Sequence, residues 1–415
     1  MRAMIRRGVF PLLLVLLFAA CNGGGEEAQP TPSRAVAQPS PMAEPTPTAT
    51  PTPTPEPAVQ RIAYIGTDGN IWIMNADGSG QQKLFEIETE PGDSVRNLRW
   101  SPDGSKLAVR KRGSESGPGS EGVIYIVSAG GEALLEVPDV VGFLAWSPDG
   151  TRIAFVSSPG GPPGEIYVMN ADGSGLTRLS DGPASYIDWS PDGRWLAFFA
   201  VIRELDFFTE VIGMLADLQT TEVEPIDPGE QLIDEYATSP PIFSPTDASL
   251  LAYGSRLFDL NTGQERSLPE RAVSWSPDGQ RLLLLECGSA PVSNAQVYDV
   301  QKGSSVLEFN ISLRGIGAPC WAVMRGQTGW SPDSRFLASY DVPTSTDALG
   351  VLRLRDIDTG DQKTVSMDFP TSLQFSPDSR LLLFYSADGI WVLGSDGTNL
   401  TLLAEGSRAA WQPQP

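Results

Sequence analysis

Histidine is absent from the 415-residue sequence. That excludes a Ser/His/Asp triad, a Cys/His dyad and any His-bearing zinc site. Cysteine occurs three times, and none of the five lysines follows the glycine spacing of a phosphate-binding P-loop. No Gly-x-Ser-x-Gly elbow is present; the nearest look-alike, Gly113-Ser114-Glu115-Ser116-Gly117, has Glu at its centre. Basic residues are scarce, 29 against 51 acidic ones, so the net charge is −22 and the pI is near 4.4. Nucleic acid is therefore not an expected partner, since duplex binding relies on Lys and Arg neutralising phosphates. Helical periodicity is also hard to find. What is present is 40% hydrophobic residues, enough for a large core, with 42 glycines and 36 prolines to punctuate it.

Arg2, Arg6 and Arg7 precede an apolar run from Val9 to Ala20 that is too short to cross a bilayer comfortably. Residues 1–20 thus have the n-region, h-region and small-residue end of a signal peptide. Leu17-Phe18-Ala19-Ala20-Cys21 resembles the lipobox of bacterial lipoproteins, with Phe18 where the family prefers Leu. The resemblance implies that Cys21 is lipidated and becomes the mature N-terminus. Two or three acyl chains, at about 0.8 kcal/mol per buried methylene, would hold the protein at a membrane. Residues 21–57 continue as a Gly- and then Pro/Thr-rich segment with almost no large apolar side chain, which predicts a disordered, extended stalk.

From residue 58 to 415 the sequence repeats. Trp100-Ser101-Pro102-Asp103-Gly104 recurs with Trp146, Pro148, Asp149 and Gly150, with Trp189, Pro191, Asp192 and Gly193, and with Trp275, Pro277, Asp278 and Gly279. Looser copies begin at Phe243, Trp330 and Phe375, and a truncated one at Trp411. Successive aromatics lie 46, 43, 54, 32, 55, 45 and 36 residues apart, near the period of a four-stranded propeller blade. In each copy Pro presets the second position of a type I turn, Asp suits the third, and Gly takes the left-handed conformation that completes the hairpin. The aromatic ends the incoming strand, where its ring can fill the wedge between sheets. A second turn, Asn75-Ala76-Asp77-Gly78 or Asn170-Ala171-Asp172-Gly173, joins the third and fourth strands.

Ser-Pro-Asp-Gly turns combined with Ile-Tyr-Val-Met-Asn-Ala-Asp-Gly-Ser-Gly at 166–175 resemble the propeller repeats of TolB, and also those of prolyl oligopeptidase-type enzymes and WD-repeat-like lipoproteins. The expected fold is all-β: a single propeller of four-stranded antiparallel blades. Residues 61–87 supply three strands without a first one, and Ser407 to Gln412 supplies an isolated first strand. Pairing the two would close the ring at eight blades, or at seven if the short unit at 239–270 is degenerate.

A peptidase reading lacks both the elbow and a hydrolase domain following the repeats. The Asn-Ala-Asp-Gly turns look superficially like calcium loops but have no closing Glu, so neither metal nor cofactor is expected. Cys287 and Cys320 are candidates for a disulfide in an exported protein, one that would pin an insertion at 311–327 to its neighbouring blade. That insertion carries Arg314, Trp321, Met324 and Arg325, a contact-loop composition, although a loop folded over the blade edge has the same content. The leading functional expectation is a non-catalytic, lipid-anchored module of the bacterial envelope, on the periplasmic or cell-surface side, that binds an envelope protein or lipoprotein. Alternatives are a sensor binding a polysaccharide or a small ligand in the central funnel, or a carboxylate-dependent enzyme degrading a polymer there.

Overall fold

The computed structural model describes residues 60–113, 122–157, 164–180, 182–204, 209–227, 233–234, 239–286, 292–312, 327–342, 350–367 and 370–414. Cys21, Cys287, Cys320, Arg314, Trp321, Met324 and Arg325 lie outside them, as do the leader and stalk. The described residues form 32 strands in seven antiparallel sheets. One sheet has seven strands because its central strand, Ala133–Trp146, serves two blades: it is the outermost strand of the second and the innermost of the third. Val140 pairs with Gly122 on one side and Ser157 on the other, and Asp139 turns the chain between the two blades at φ 60°. Counted this way, the fold is a propeller of eight blades.

Blade 1 is assembled from both ends of the repeat region. Its strands run Ser407–Trp411, Arg61–Ile65, Ile71–Asn75 and Gln82–Phe85 from inside to outside. Ile62 pairs with Trp411 and Ala63 with Ala410. The Arg61 guanidinium donates to Gln412 Oε1 at 2.8 Å, and the Gln412 N–H donates to the Arg61 carbonyl at 2.9 Å. The unit at 239–270 is a complete blade of four short strands: Ile242–Phe243, Leu250–Tyr253, Arg256–Asp259 and Gln264–Ser267. In blade 4 the two middle strands lengthen to Trp195–Glu204 and Thr209–Asp217, as the apolar content there suggests.

Position within a blade explains residue type. A second strand such as Arg281–Leu285 (Arg-Leu-Leu-Leu-Leu) is covered on both faces by neighbouring blades and reads as one apolar run. An outermost strand such as Gln264–Ser267 of the preceding blade is exposed throughout and polar. Each seam has its own apolar cluster. Ile65 and Ile73 meet Leu98 and Val109 between blades 1 and 2, and Leu354 meets Leu382 and Phe384 between blades 7 and 8. Leu383 and Val392 meet Ile62 and Met74, which brings the succession of seams back to blade 1.

Candidate functional site: the inner strands and the central channel

The sequence repeat builds the frame around the channel. In the first Ser-Pro-Asp-Gly turn, the Gly104 N–H donates to the Ser101 carbonyl at 2.8 Å and Gly104 adopts φ 67°. Ser101 is fully buried; its hydroxyl accepts the Lys106 N–H at 2.9 Å and donates to Asp103 Oδ1 at 2.6 Å. Asp103 Oδ1 in turn accepts the Ser105 N–H at 3.0 Å. The same pattern recurs around Ser147, Ser190 and Ser276. Chiefly because the Ser101 hydroxyl bonds it, the Asp103 carboxyl falls to about 2 and stays ionised. Serine was not singled out from the sequence, yet it is the residue that ties each turn together.

Where Gly is replaced, the substitution has a purpose. Ser334 and Ser379 occupy the left-handed position at φ 59° and 62°. Each hydroxyl accepts a backbone N–H from the turn of the preceding blade: Asp278 to Ser334 at 2.9 Å and Asp333 to Ser379 at 3.2 Å.

The motif tryptophans do more than fill wedges. The Trp146 indole N–H donates to the Arg99 carbonyl, Trp189 to Ala145, Trp275 to Ile242 and Trp411 to Gln374, at 3.0–3.2 Å. Every acceptor is the residue immediately before the motif aromatic of the preceding blade. Trp330 reaches the Ser274 hydroxyl at the same place, at 3.1 Å. Blade 5 has Phe243 and no indole; there the Phe243 backbone N–H donates to Asp188 Oδ2 at 2.6 Å. Trp100, by contrast, is buried with no acceptor for its N–H among the described residues.

Three residues before the aromatic, four inner strands carry a bulge. Asn97, Tyr186, Ser372 and Arg408 have φ of 57°, 63°, 59° and 51°, and the strand register slips at each. Left-handed backbone at non-glycine residues costs about 1–2 kcal/mol each. Bulges re-aim side chains. Here Asn97, Ser372 and Arg408 converge from blades 2, 8 and 1 on one cavity of about 90 Å³, joined by Arg99, Gln374 and Tyr385. Arg99 also lines a larger cavity of about 550 Å³, whose wall includes Asp188, Phe243, Ser274, Trp275 and Thr328 from blades 4 to 7. The smaller cavity is thus lined by unrepeated residues at fixed positions beside the aromatic, whereas motif residues such as Phe243, Trp275 and Trp330 share the wall of the larger one.

No protein-family model matches the chain. Dipeptidyl-peptidase 5 of Aspergillus fumigatus is 27% identical over 145 residues, covering 29% of this chain. The chain spans about a fifth of the length of the curated relatives it matches. A solved eukaryotic initiation factor aligns with 17% identity and a TM-score of 0.52, covering 86% of this chain and 99% of that one. A prolyl endopeptidase aligns at 13% identity and 0.50, covering 77% of this chain and 50% of that one. TolB from Acinetobacter baumannii aligns at 17% identity and 0.36, covering 78% and 83%. Of the kinds of propeller that the turn motifs resemble, the prolyl endopeptidase is thus among the structural neighbours, and at 13% identity the likeness is one of fold.

Proposed function

We propose that the chain is a non-catalytic binding propeller of the bacterial cell envelope, exported, held at a membrane by lipid on Cys21 and displayed on the Pro/Thr stalk. The supporting observation is the division of labour on the inner strands. The recurring serines and carboxylates are engaged within their own turns, as at Ser101 and Asp103, while unrepeated side chains such as Asn97, Arg99, Ser372 and Arg408 gather at the smaller cavity. Such a frame presents contact residues without moving them, which suits recognition. The partner class we favour is an envelope protein or lipoprotein.

The test is quantitative capture from solubilised envelopes with the full-length chain in detergent as bait. A protein retained specifically supports the reading; retention of none, together with turnover of an envelope polymer, overturns it. The anchor is checked separately. Cys21→Ser is expected to move the protein from the membrane to the soluble fraction with an unchanged melting temperature, and persistent membrane association would remove the lipid from the account. A second reading, a small-ligand sensor, is favoured by the volume of the channel cavity, which falls within the range of small-molecule sites of about 300–1,000 Å³.

A further inference from the structure

The smaller cavity has features that neither the repeat nor ring stability requires. Its wall comprises Asn97, Leu98, Arg99, Ser372, Gln374, Tyr385, Arg408 and Ala409, with two guanidinium groups and no carboxylate. This occurs in a chain with a net charge of −22. Arg408 is half-buried and sits in the left-handed region at φ 51°, a conformation that a bulky side chain adopts only against a cost. The donors are also arranged in advance. Gln374 Nε2 donates to Ser372 Oγ at 2.8 Å and to the Ala409 carbonyl at 3.2 Å. With its oxygen already accepting from Gln374, the Ser372 hydroxyl has its proton to offer to the cavity.

Positive charge extends beyond the wall. On blade 2, Arg96 stands directly opposite Arg110 across the Ser94–Trp100 and Lys106–Arg112 strands, with Arg112 two residues on. Like charges placed directly opposite are unfavourable in a sheet. Burial first, and then Arg112 and Arg96, lower the pKa of Arg110. Arg96 immediately precedes Asn97, so this cluster adjoins the strand segment that lines the cavity.

We propose that the cavity is the anion subsite of a ligand site: it takes the carboxylate or phosphate group of a small organic anion, whose body extends past Arg99 into the larger cavity. At about 90 Å³ the space is large enough to take one such group. Arg408 supplies charge-assisted hydrogen bonds, Arg99 adds positive charge to the wall, and Ser372 and Asn97 supply neutral donors. The inference rests on the binding-module reading and gives its channel a ligand class.

Calorimetry on the full-length chain in detergent tests it, with D-glucuronate, D-glucose 6-phosphate and neutral D-glucose as probes. One or both anions are expected to bind saturably and glucose not at all; whichever anion binds more tightly separates carboxylate from phosphate. Arg408→Gln should weaken binding by about tenfold or more, the loss of a hydrogen bond to a charged group. Ser372→Gly should weaken it as well while suiting the left-handed backbone, so that variant guards against misfolding. Arg380→Gln, at a distant turn on blade 8, should leave binding unchanged. Binding of glucose as tight as that of the anions overturns the proposal, as does undiminished affinity in both channel variants, equal loss in Arg380→Gln, or no binding of either anion in the millimolar range. With membrane association and protein capture intact, those results would remove the anion site and leave the anchored binding module standing.

Discussion

A single buried hydroxyl holds each Ser-Pro-Asp-Gly turn. Ser276 has no exposed surface; its oxygen accepts the Arg281 N–H at 2.9 Å, and it donates to Asp278 Oδ1. Ser276→Ala leaves a buried backbone N–H without its acceptor, and a loss of about 1–3 kcal/mol is expected. Gln280→Ala, exposed in the same turn, should stay within about 0.5 kcal/mol; thermal denaturation of the two variants gives the comparison. The carboxylates of the turns make stability depend on acid. A hydrogen bond from the hydroxyl two residues on lowers the pKa of Asp77, Asp172 and Asp396, and the hydroxyl two residues before does so for Asp103, which falls to about 2. Because the folded pKa lies below the unfolded one, the stabilisation is complete above the unfolded value and is lost as pH falls through the folded one. The melting temperature is therefore expected to hold down to about pH 4 and to drop between about pH 4 and 2. An Asp103→Asn variant should show a shallower drop.

Among the strands, the row of indole N–H bonds from blade to blade predicts an asymmetry between two tryptophans that look identical in the repeat. Trp189 is bonded to the Ala145 carbonyl, whereas Trp100 is buried with no acceptor among the described residues. Trp189→Phe removes a made hydrogen bond and strands a carbonyl, at about 1–3 kcal/mol; Trp100→Phe removes an orphan donor and should cost less. Equal losses on chemical denaturation would contradict the pattern. The strands themselves were legible from the sequence because Pro, Asp and Gly each specify a turn position, and two-sided burial writes second strands such as Leu282 to Leu285 as apolar runs. The bulges were not legible. Asn97, Tyr186, Ser372 and Arg408 share no residue type and none is glycine, so nothing local announces a left-handed residue. Nor did the sequence disclose that Ala133–Trp146 is one strand, since Pro138-Asp139 within it reads as a break.

At the scale of the whole molecule, the join in blade 1 is where the ring is most sensitive. Gly104 and Gly150 have the same φ of 67° and the same turn, so alanine at either costs about 1–2 kcal/mol for the backbone. At Gly104 a Cβ would also collide with the Pro413 carbonyl, while Gln412 Nε2 donates to the Gly104 carbonyl at 2.7 Å; at Gly150 nothing lies nearer than 3.6 Å. Gly104→Ala should therefore lower the melting temperature well beyond Gly150→Ala. The pairing of the two ends could be read by counting strands, because the missing first strand and the surplus last one are visible as text. The candidate site could not. Its residues come from Asn97, Ser372 and Arg408, brought together only by closure of the ring, and no spacing in the sequence links them. The shared strand has a consequence for how the molecule opens. Its amides bridge blades 2 and 3 in a single ladder, so protons on Val123–Val127 and on Ile153–Val156 should exchange with solvent through one common event. The other blades, each a separate sheet, are free to breathe one at a time.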